Sequence, residues 1–337
     1  MRKNIFMSLA LGMAIISGCA REVSIPSNEL TKEYLEMWVK ENYPNAKLAG
    51  SGIYVLEETE GSGDLYNFES YAMLGTTISS MSGDISSTTD EQLSKQLGTY
   101  NKAYYYGPKI WFVREESIPV GLYDMLRGMK KGGSKKALIP SWLMGNKRYD
   151  NPADYIKNTP ENASTSIYDL NLENFTKDIV KYQIENIEKF LTKAYPGTDS
   201  TKKGFYYKQL KKATGPSPFK KDTTIYINYT GRLLNGQVFD TTIKDTAKVH
   251  NIYTGGKSYK PIGINWKKEH TEIKFADGKS STPIIGFQLI LSKMGKYEKA
   301  VGVFISDLGY KGEAVGKSIP AFSPLIFEVE VVDKPKD

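Results

Sequence analysis

One cysteine among 337 residues leaves no partner for a disulfide and no thiolate cluster for a metal. Histidine is almost as scarce. His250 and His270 stand alone, too few for a histidine-built zinc site and thin material for a histidine-based triad. The most apolar stretch, from Ile5 to Ile16, falls short of the roughly 20 residues that a membrane-spanning helix needs. Neither sign of charge dominates, since 45 Lys and Arg face 38 Asp and Glu for a net +7. The lysine pairs at 130–131, 135–136, 211–212, 220–221 and 267–268 are separated by Gly, Pro and Glu. They read as solvated surface, and no nucleic-acid partner is expected. What is abundant is ordinary for folded chains: 40% hydrophobic and 25% charged residues. Thirty Gly and 23 Tyr point to many turns and to amphipathic β surface. At about 150 residues per domain, the length suggests two domains, each able to bury a core.

The N-terminus accounts for the lone cysteine. Arg2 and Lys3 precede the apolar run, which ends Ile16-Ser17-Gly18-Cys19. A basic start, a short apolar stretch and small residues form a secretory leader. Cys19 directly after Ile-Ser-Gly resembles the lipobox of bacterial lipoproteins. That resemblance implies cleavage before Cys19, its lipidation, and a membrane partner held through acyl chains. Ala20 follows, with no aspartate there to mark inner-membrane retention. The expected location is the bacterial cell envelope, at the outer rather than the inner membrane, facing the periplasm or the surface.

The rest of the chain repeats itself. Tyr43-Pro44 recurs as Tyr195-Pro196, and Gly52-Ile53-Tyr54 as Gly204-Phe205-Tyr206, both at an offset of 152. Residues 83–89 match 236–242, and Tyr106-Gly107-Pro108 matches Tyr259-Lys260-Pro261, at 153. Gly121-Leu122 to Met129 tracks Gly286-Phe287 to Met294 at 165. Two copies of one unit are read, with a boundary near residue 173. The expected division is 1–18 as leader, 19–28 as tether, 29–172 as the first unit, 173–203 as a connecting helix and 204–337 as the second unit.

Each unit opens with an amphipathic helix. Leu30, Tyr34, Met37 and Trp38 mark one face of the first, capped by Ser27 or Asn28. Val180, Ile184, Ile187 and Leu191 mark the second. Both stop at a Tyr-Pro. Ile225, Ile227 and Tyr229 alternate with polar residues, as do Leu325, Phe327, Val329 and Val331, so two one-sided strands are expected. Between them, Phe287, Ile290, Leu291 and Met294 give a short helix, matched in the first unit by Leu122, Met125, Leu126 and Met129. Strands around one short helix predict an α+β fold, each unit a curved antiparallel sheet wrapped around its helix.

From Thr223 to Val332 five landmarks follow one another: Asn228-Tyr229-Thr230-Gly231, Asn235-Gly236-Gln237-Val238-Phe239-Asp240, Ile284-Ile285-Gly286-Phe287 with Met294, Ile305-Ser306-Asp307-Leu308-Gly309-Tyr310, and Ile319-Pro320 leading into Leu325-Ile326-Phe327. Their order resembles the FKBP-type peptidyl-prolyl cis-trans isomerases, and the chain as a whole is similar to FKBP-containing bacterial lipoproteins. The resemblance implies an enzyme with a proline-binding pocket and no cofactor or metal. Tyr229, Phe239 and Phe327 would form aromatic walls. Phe287 would be the floor, where the family usually has Trp. The Ile284 N–H would face a substrate carbonyl, Asp240 and Tyr310 would be the polar groups, and Ile273 and Ile319 would complete the substrate-binding rim. Implied substrates are proline-containing unfolded or exported polypeptides. A departure is the connection of 32 residues between Asp240 and Ile273, longer than the family's usual one. The first unit has Ser86-Ser87 where the second has Phe239-Asp240, Leu122 for Phe287 and Gly145 for Tyr310. It reads as the same fold without the site. A non-catalytic chaperone or scaffold is the alternative reading of the whole chain.

Overall fold

A computed structural model of the chain describes residues 27–278 and 281–335. The leader, Cys19 and nearly all of the tether therefore lie outside the described residues. The first half runs α1 (Ser27–Asn42), β1 (Lys47–Ala49), β2 (Ile53–Thr59), β3 (Ser70–Ser79), β4 (Ile85–Thr88), α2 (Glu91–Gln96) and β5 (Lys109–Val113). It continues with α3 (Val120–Leu126), β6 (Ser134–Ile139), α4 (Pro152–Lys157) and β7 (Ser166–Thr176). The second half follows as α5 (Ile179–Ala194), β8 (Asp199–Lys202), β9 (Phe205–Lys211), β10 (Thr223–Leu233), β11 (Val238–Thr241) and α6 (Lys244–Val249). Last come β12 (Ile262–Trp266), β13 (Lys274–Phe275), α7 (Ile285–Lys293), β14 (Lys299–Phe304) and β15 (Leu325–Val332).

Two antiparallel sheets share one strand order. The first runs β1-β2-β6-β7-β3-β4 with β5 also on β3; the second runs β8-β9-β14-β15-β10-β12-β13 with β11 also on β10. The likeness extends to single bonds. The Thr76 N–H donates to Thr89 Oγ1 at 2.8 Å, and the Tyr229 N–H to Thr242 Oγ1 at 2.9 Å. The Thr77 and Thr88 hydroxyls pair at 2.9 Å, those of Thr230 and Thr241 at 3.0 Å. The chain is thus an α+β protein of two units, each a curved sheet around a short helix. Strand β7 carries the first sheet to Thr176, past residue 172. Within 173–203 only Ile179–Ala194 is α-helical, and β8 already belongs to the second sheet.

The short helices sit where their apolar spacing puts them. Leu122, Met125, Leu126 and Met129 are buried in one core, and Phe287, Ile290, Leu291 and Met294 in the other. Helix α7 lies close on its sheet because Gly302 faces it; a Cβ there would meet Ile290 Cγ1 at 2.2 Å. Helix α5 lays Ile187 and Leu191 over the outer face of the second sheet, against Tyr206, Val301, Val303 and Ile326. Helix α1 turns a different face inward from the one its sequence suggests. Leu35 (1% exposed) and Val39 are buried with Trp38 beside them, whereas Tyr34 and Met37 (64%) face outward. Both stripes satisfy helical spacing, and the branched aliphatic pair packs where the longer side chains do not. No helix among the described residues is long and apolar enough to cross a membrane.

One buried carboxylate ties the lower end of α7 to the sheet. Glu298 is 1% exposed, and its Oε1 accepts from Tyr207 Oη at 2.6 Å and Gln209 Nε2 at 2.8 Å. Its Oε2 accepts from the Gly295 N–H at 2.9 Å and from the Ser217 hydroxyl. Bonds to a charged acceptor contribute more than neutral ones, and an unpaired buried donor is costly. Glu298→Gln sets an amide NH₂ against these donors and should lower unfolding stability by about 3 kcal/mol, read as a denaturant midpoint shift at unchanged slope.

Tyr206 ties α5 to β9 by donating to Glu188 Oε1 at 2.9 Å. Burial, then the hydrogen bond and charge of Glu188, push its hydroxyl from 10.0 up to about 12. The folded state thus holds this proton more tightly than the unfolded chain. The contribution of this proton to stability is full below pH 10 and is lost as pH rises through the window from about 10 to about 12. Unfolding titrations across that window should show a shallower decline for Tyr206→Phe.

Candidate functional site: an aromatic cage in the second unit

Strand alternation sends Ile225, Ile227, Tyr229 and Gly231 to the concave side of β10. Gly231 pairs with Asp240 of β11 on one side and Phe327 of β15 on the other. A Cβ on Gly231 would lie 2.5 Å from Phe239 Cε2 and 3.0 Å from Phe327 Cε1. Glycine at this point lets two rings close over the strand.

Phe327 is the hub of the cage. Its centroid lies 4.9 Å from Phe287, 5.6 Å from Phe239 and 6.0 Å from Tyr229, all tilted or edge-on. It stacks on Phe304 at 5.9 Å from below, and Tyr229 meets Phe287 edge-on at 5.5 Å. Such edge-on pairs add modestly to area burial and hold the rings in one arrangement. Phe287, Phe327 and Ile319 are almost fully buried and form the base, whereas Tyr229, Phe239, Ile284 and Tyr310 are half-buried and form the open lip. Ile273 has no exposed surface. It backs the rings instead of lining the rim, held there by Gln288 Nε2 donating to its carbonyl at 3.1 Å.

The polar groups are arranged on that lip. Asp240 Oδ2 accepts from Tyr229 Oη at 2.6 Å, and Oδ1 accepts from its neighbour Thr241 N–H at 2.9 Å. Lys257 pairs with the same carboxylate. Burial first, and then the charge of Asp240, push both the Tyr229 and Tyr310 hydroxyls above the usual phenol range. Both therefore remain protonated donors at neutral pH. Among the described residues Tyr310 Oη and the Ile284 N–H have no hydrogen-bond acceptor, so both are available to a carbonyl. Ile284 stands at the start of α7, with its own carbonyl bonded to the N–H groups of Phe287 and Gln288 at 3.0 and 3.1 Å.

The segment 310–320 closes one side. The Val315 and Ile319 backbones exchange hydrogen bonds at 2.9 and 3.3 Å, which pinches the loop and turns Ile319 inward. The long connection after Asp240 forms α6 and β12, extends the second sheet and brings Lys257 to the carboxylate. Lys257 and Gln288 were not visible as site residues in the sequence, where no spacing marks a lysine 17 positions from its carboxylate. Among the described residues no group of three or more His, Cys, Asp or Glu is placed to hold a metal ion.

The first unit has the same backbone and different contents. Its hydrogen-bond register puts Thr76 where Tyr229 stands, Ser87 at Asp240 and Ile78 at Gly231. Thr76 Oγ1 is buried there without a hydrogen-bond partner among the described residues. A Cβ-bearing residue at 78 occupies the space through which the second unit admits Phe239.

Comparison with known proteins bears on the second half. Residues 215–332 match the family model of the FKBP-type peptidyl-prolyl cis-trans isomerases. A probable FKBP-type peptidyl-prolyl cis-trans isomerase of Haemophilus influenzae is 29% identical over 159 residues, covering 47% of this chain and 54% of that protein. The FKBP-type 22 kDa peptidyl-prolyl cis-trans isomerase of Escherichia coli is 26% identical over 161 residues, covering 46% and 58%. The chain thus spans a little over half the length of these curated relatives. A crystal structure of a peptidyl-prolyl cis-trans isomerase from Pseudomonas syringae is 24% identical, covers 47% of this chain and 97% of its own, and has a TM-score of 0.31. The similarity to the FKBP-type peptidyl-prolyl cis-trans isomerases thus includes residues 215–332, the stretch that holds the aromatic cage.

Proposed function

We propose that the second unit isomerises X-Pro bonds in exported polypeptides, and that the protein is held at a membrane through a lipid on Cys19. The observation that carries the catalytic reading is the cage itself: rings at the base and, at the lip, two donors without an acceptor among the described residues. Rotation about a peptide bond costs ~18–20 kcal/mol because amide resonance must be broken. Uncatalysed X-Pro bonds therefore turn over in tens of seconds or longer. No nucleophile, proton transfer or metal is needed. In the twisted state the nitrogen pyramidalises and the amide becomes less polar, so a dry aromatic enclosure favours it over the planar amide. An acceleration of ~10⁴-fold requires only about 5–6 kcal/mol of selective stabilisation.

In this reading Tyr229, Phe239, Phe287 and Phe327 hold the proline ring. The Ile284 N–H and Tyr310 Oη bind the carbonyls that flank it. Asp240, fixed by Tyr229, Thr241 and Lys257, sets the field along the lip. Ile319, turned inward from the 310–320 loop, completes the base, and Ile273 supports the rings from behind. The first unit, with Thr76, Ser87 and Ile78 at the corresponding places, is assigned no catalysis. The binding-module alternative draws on Phe287, whose ring offers no indole N–H at the floor.

The test is isomerisation of a short proline peptide by the purified protein. Wild type should accelerate it, and Phe239→Ala with Asp240→Ala should lower kcat/KM by about 10²-fold, equal to ~2.7 kcal/mol. Activity that survives both changes removes this site assignment. A wild-type protein that binds the peptide without turning it over favours the chaperone or scaffold reading.

The anchor has a separate test. Cys19→Ala should shift the protein from the membrane pellet to the soluble fraction of lysed cells and abolish labelling by a fatty-acid probe. Retention in the pellet with the label intact would sink the lipid-anchor proposal.

A further inference from the structure

Both units carry the same hook between their second helix and the strand that follows. Tyr100 stacks on Tyr106 at 5.3 Å, and Tyr253 on Tyr259 at 5.1 Å. The Asn101 N–H donates to Tyr106 Oη at 3.0 Å, and the Thr254 N–H to Tyr259 Oη at 2.9 Å. Every one of these residues is displaced by 153 from its counterpart.

The two hooks meet different surfaces. That of the second unit folds onto its own site, where Lys257 pairs with Asp240. That of the first unit crosses to the second. Lys102 Nζ donates to the Val249 carbonyl at 2.8 Å, at the end of α6. The Ala103 carbonyl accepts from Gln237 Nε2 at 3.1 Å, two residues before Phe239. The Tyr105 N–H donates to the Lys317 carbonyl at 2.8 Å. The Tyr105 ring packs on the core of the second unit, and its hydroxyl closes back on the Pro108 carbonyl at 3.1 Å.

Lys317 belongs to the loop that carries Tyr310 and Ile319. Residues 311–317 are all exposed, so few contacts fix their course. Besides the Val315–Ile319 pair, the loop is tied within its own unit by Lys311 N–H to Ser306, Glu313 N–H to Tyr310 and Phe322 N–H to Lys311, and by the Ser318 hydroxyl to Val315. At Lys317 the loop is tied from outside the second unit, by the Tyr105 N–H and by the Tyr104 ring, whose centroid lies 5.0 Å from the lysine ammonium. We propose that the hook at 99–107 is a positioning element for the site of the second unit. It holds the 310–320 loop in the arrangement that receives the peptide, and so governs peptide binding more than turnover. This rests on the isomerase reading of the cage, and gives the first unit a task for which it needs no pocket of its own.

The test compares Tyr105→Ala, Tyr105→Phe and the surface pair Lys102→Ala with Gln237→Ala in the full-length protein. Amide hydrogen exchange at Val315 and Ile319 should quicken about tenfold in Tyr105→Ala and rise in the pair as well. KM for a proline peptide should rise by at least about threefold while kcat stays within about twofold of wild type. Tyr105→Phe keeps the ring and should restore both. If wild type shows no turnover, the isomerase reading fails, and the Kd of the same peptide replaces KM in judging the hook. If Tyr105→Ala is unfolded by circular dichroism, the surface pair decides. Exchange at Val315 and Ile319 unchanged in a folded variant, or faster exchange with KM and Kd unmoved, overturns the proposal.

Discussion

The cage in the second unit depends on one missing carbon. Gly231 sits opposite Phe327 across the β10–β15 pair and beside Asp240 across β10–β11, at a shift in register. Any side chain there would collide with the Phe239 ring. With hydrogen instead, Phe239 closes against Phe327, which also meets Tyr229, Phe287 and Phe304. Close packing makes such an arrangement all or nothing, because a ring displaced by an ångström loses most of its contacts at once. The positions of Tyr229 and Asp240 follow, since both stand on the same two strands.

Much of this was legible in the residues themselves. The stripes of α5 and α7 and the alternation along β10 and β15 follow from their periods, whereas Asp240 and Tyr310 were singled out only by resemblance. What was not legible depends on contacts between distant segments. In α1 two apolar stripes compete, and only the surface that receives the helix decides for Leu35 and Val39 over Tyr34 and Met37. The pairing of Lys257 with Asp240 needs the path of the long connection, which no local signal records. Ile273 is apolar in either reading; whether it lines a pocket or backs one is a matter of depth, and depth comes from the sheet.

The two units show how little backbone change is needed to gain or lose such a site. Their strand order and threonine hydrogen bonds coincide, yet Ile78 stands for Gly231 and Thr76 for Tyr229. The stacked tyrosines of the hook have stayed alike, while the residues at its tip have diverged, one set reaching across to a neighbour and the other folding home. A repeated fold thus separates what must be kept for folding, the sheet and its threonine ladder, from what is free to take on a task.

Tyr105 and Lys317 lie far apart in a chain that is made from its N-terminus, and domains generally fold as units in that order. The strands of the first sheet are complete by Thr176, before any of the second sheet has left the ribosome. The loop that borders the cage lies near the far end of the chain, yet its Lys317 carbonyl accepts from a backbone N–H of the first unit. The rim of the cage is thus finished only once both units have folded.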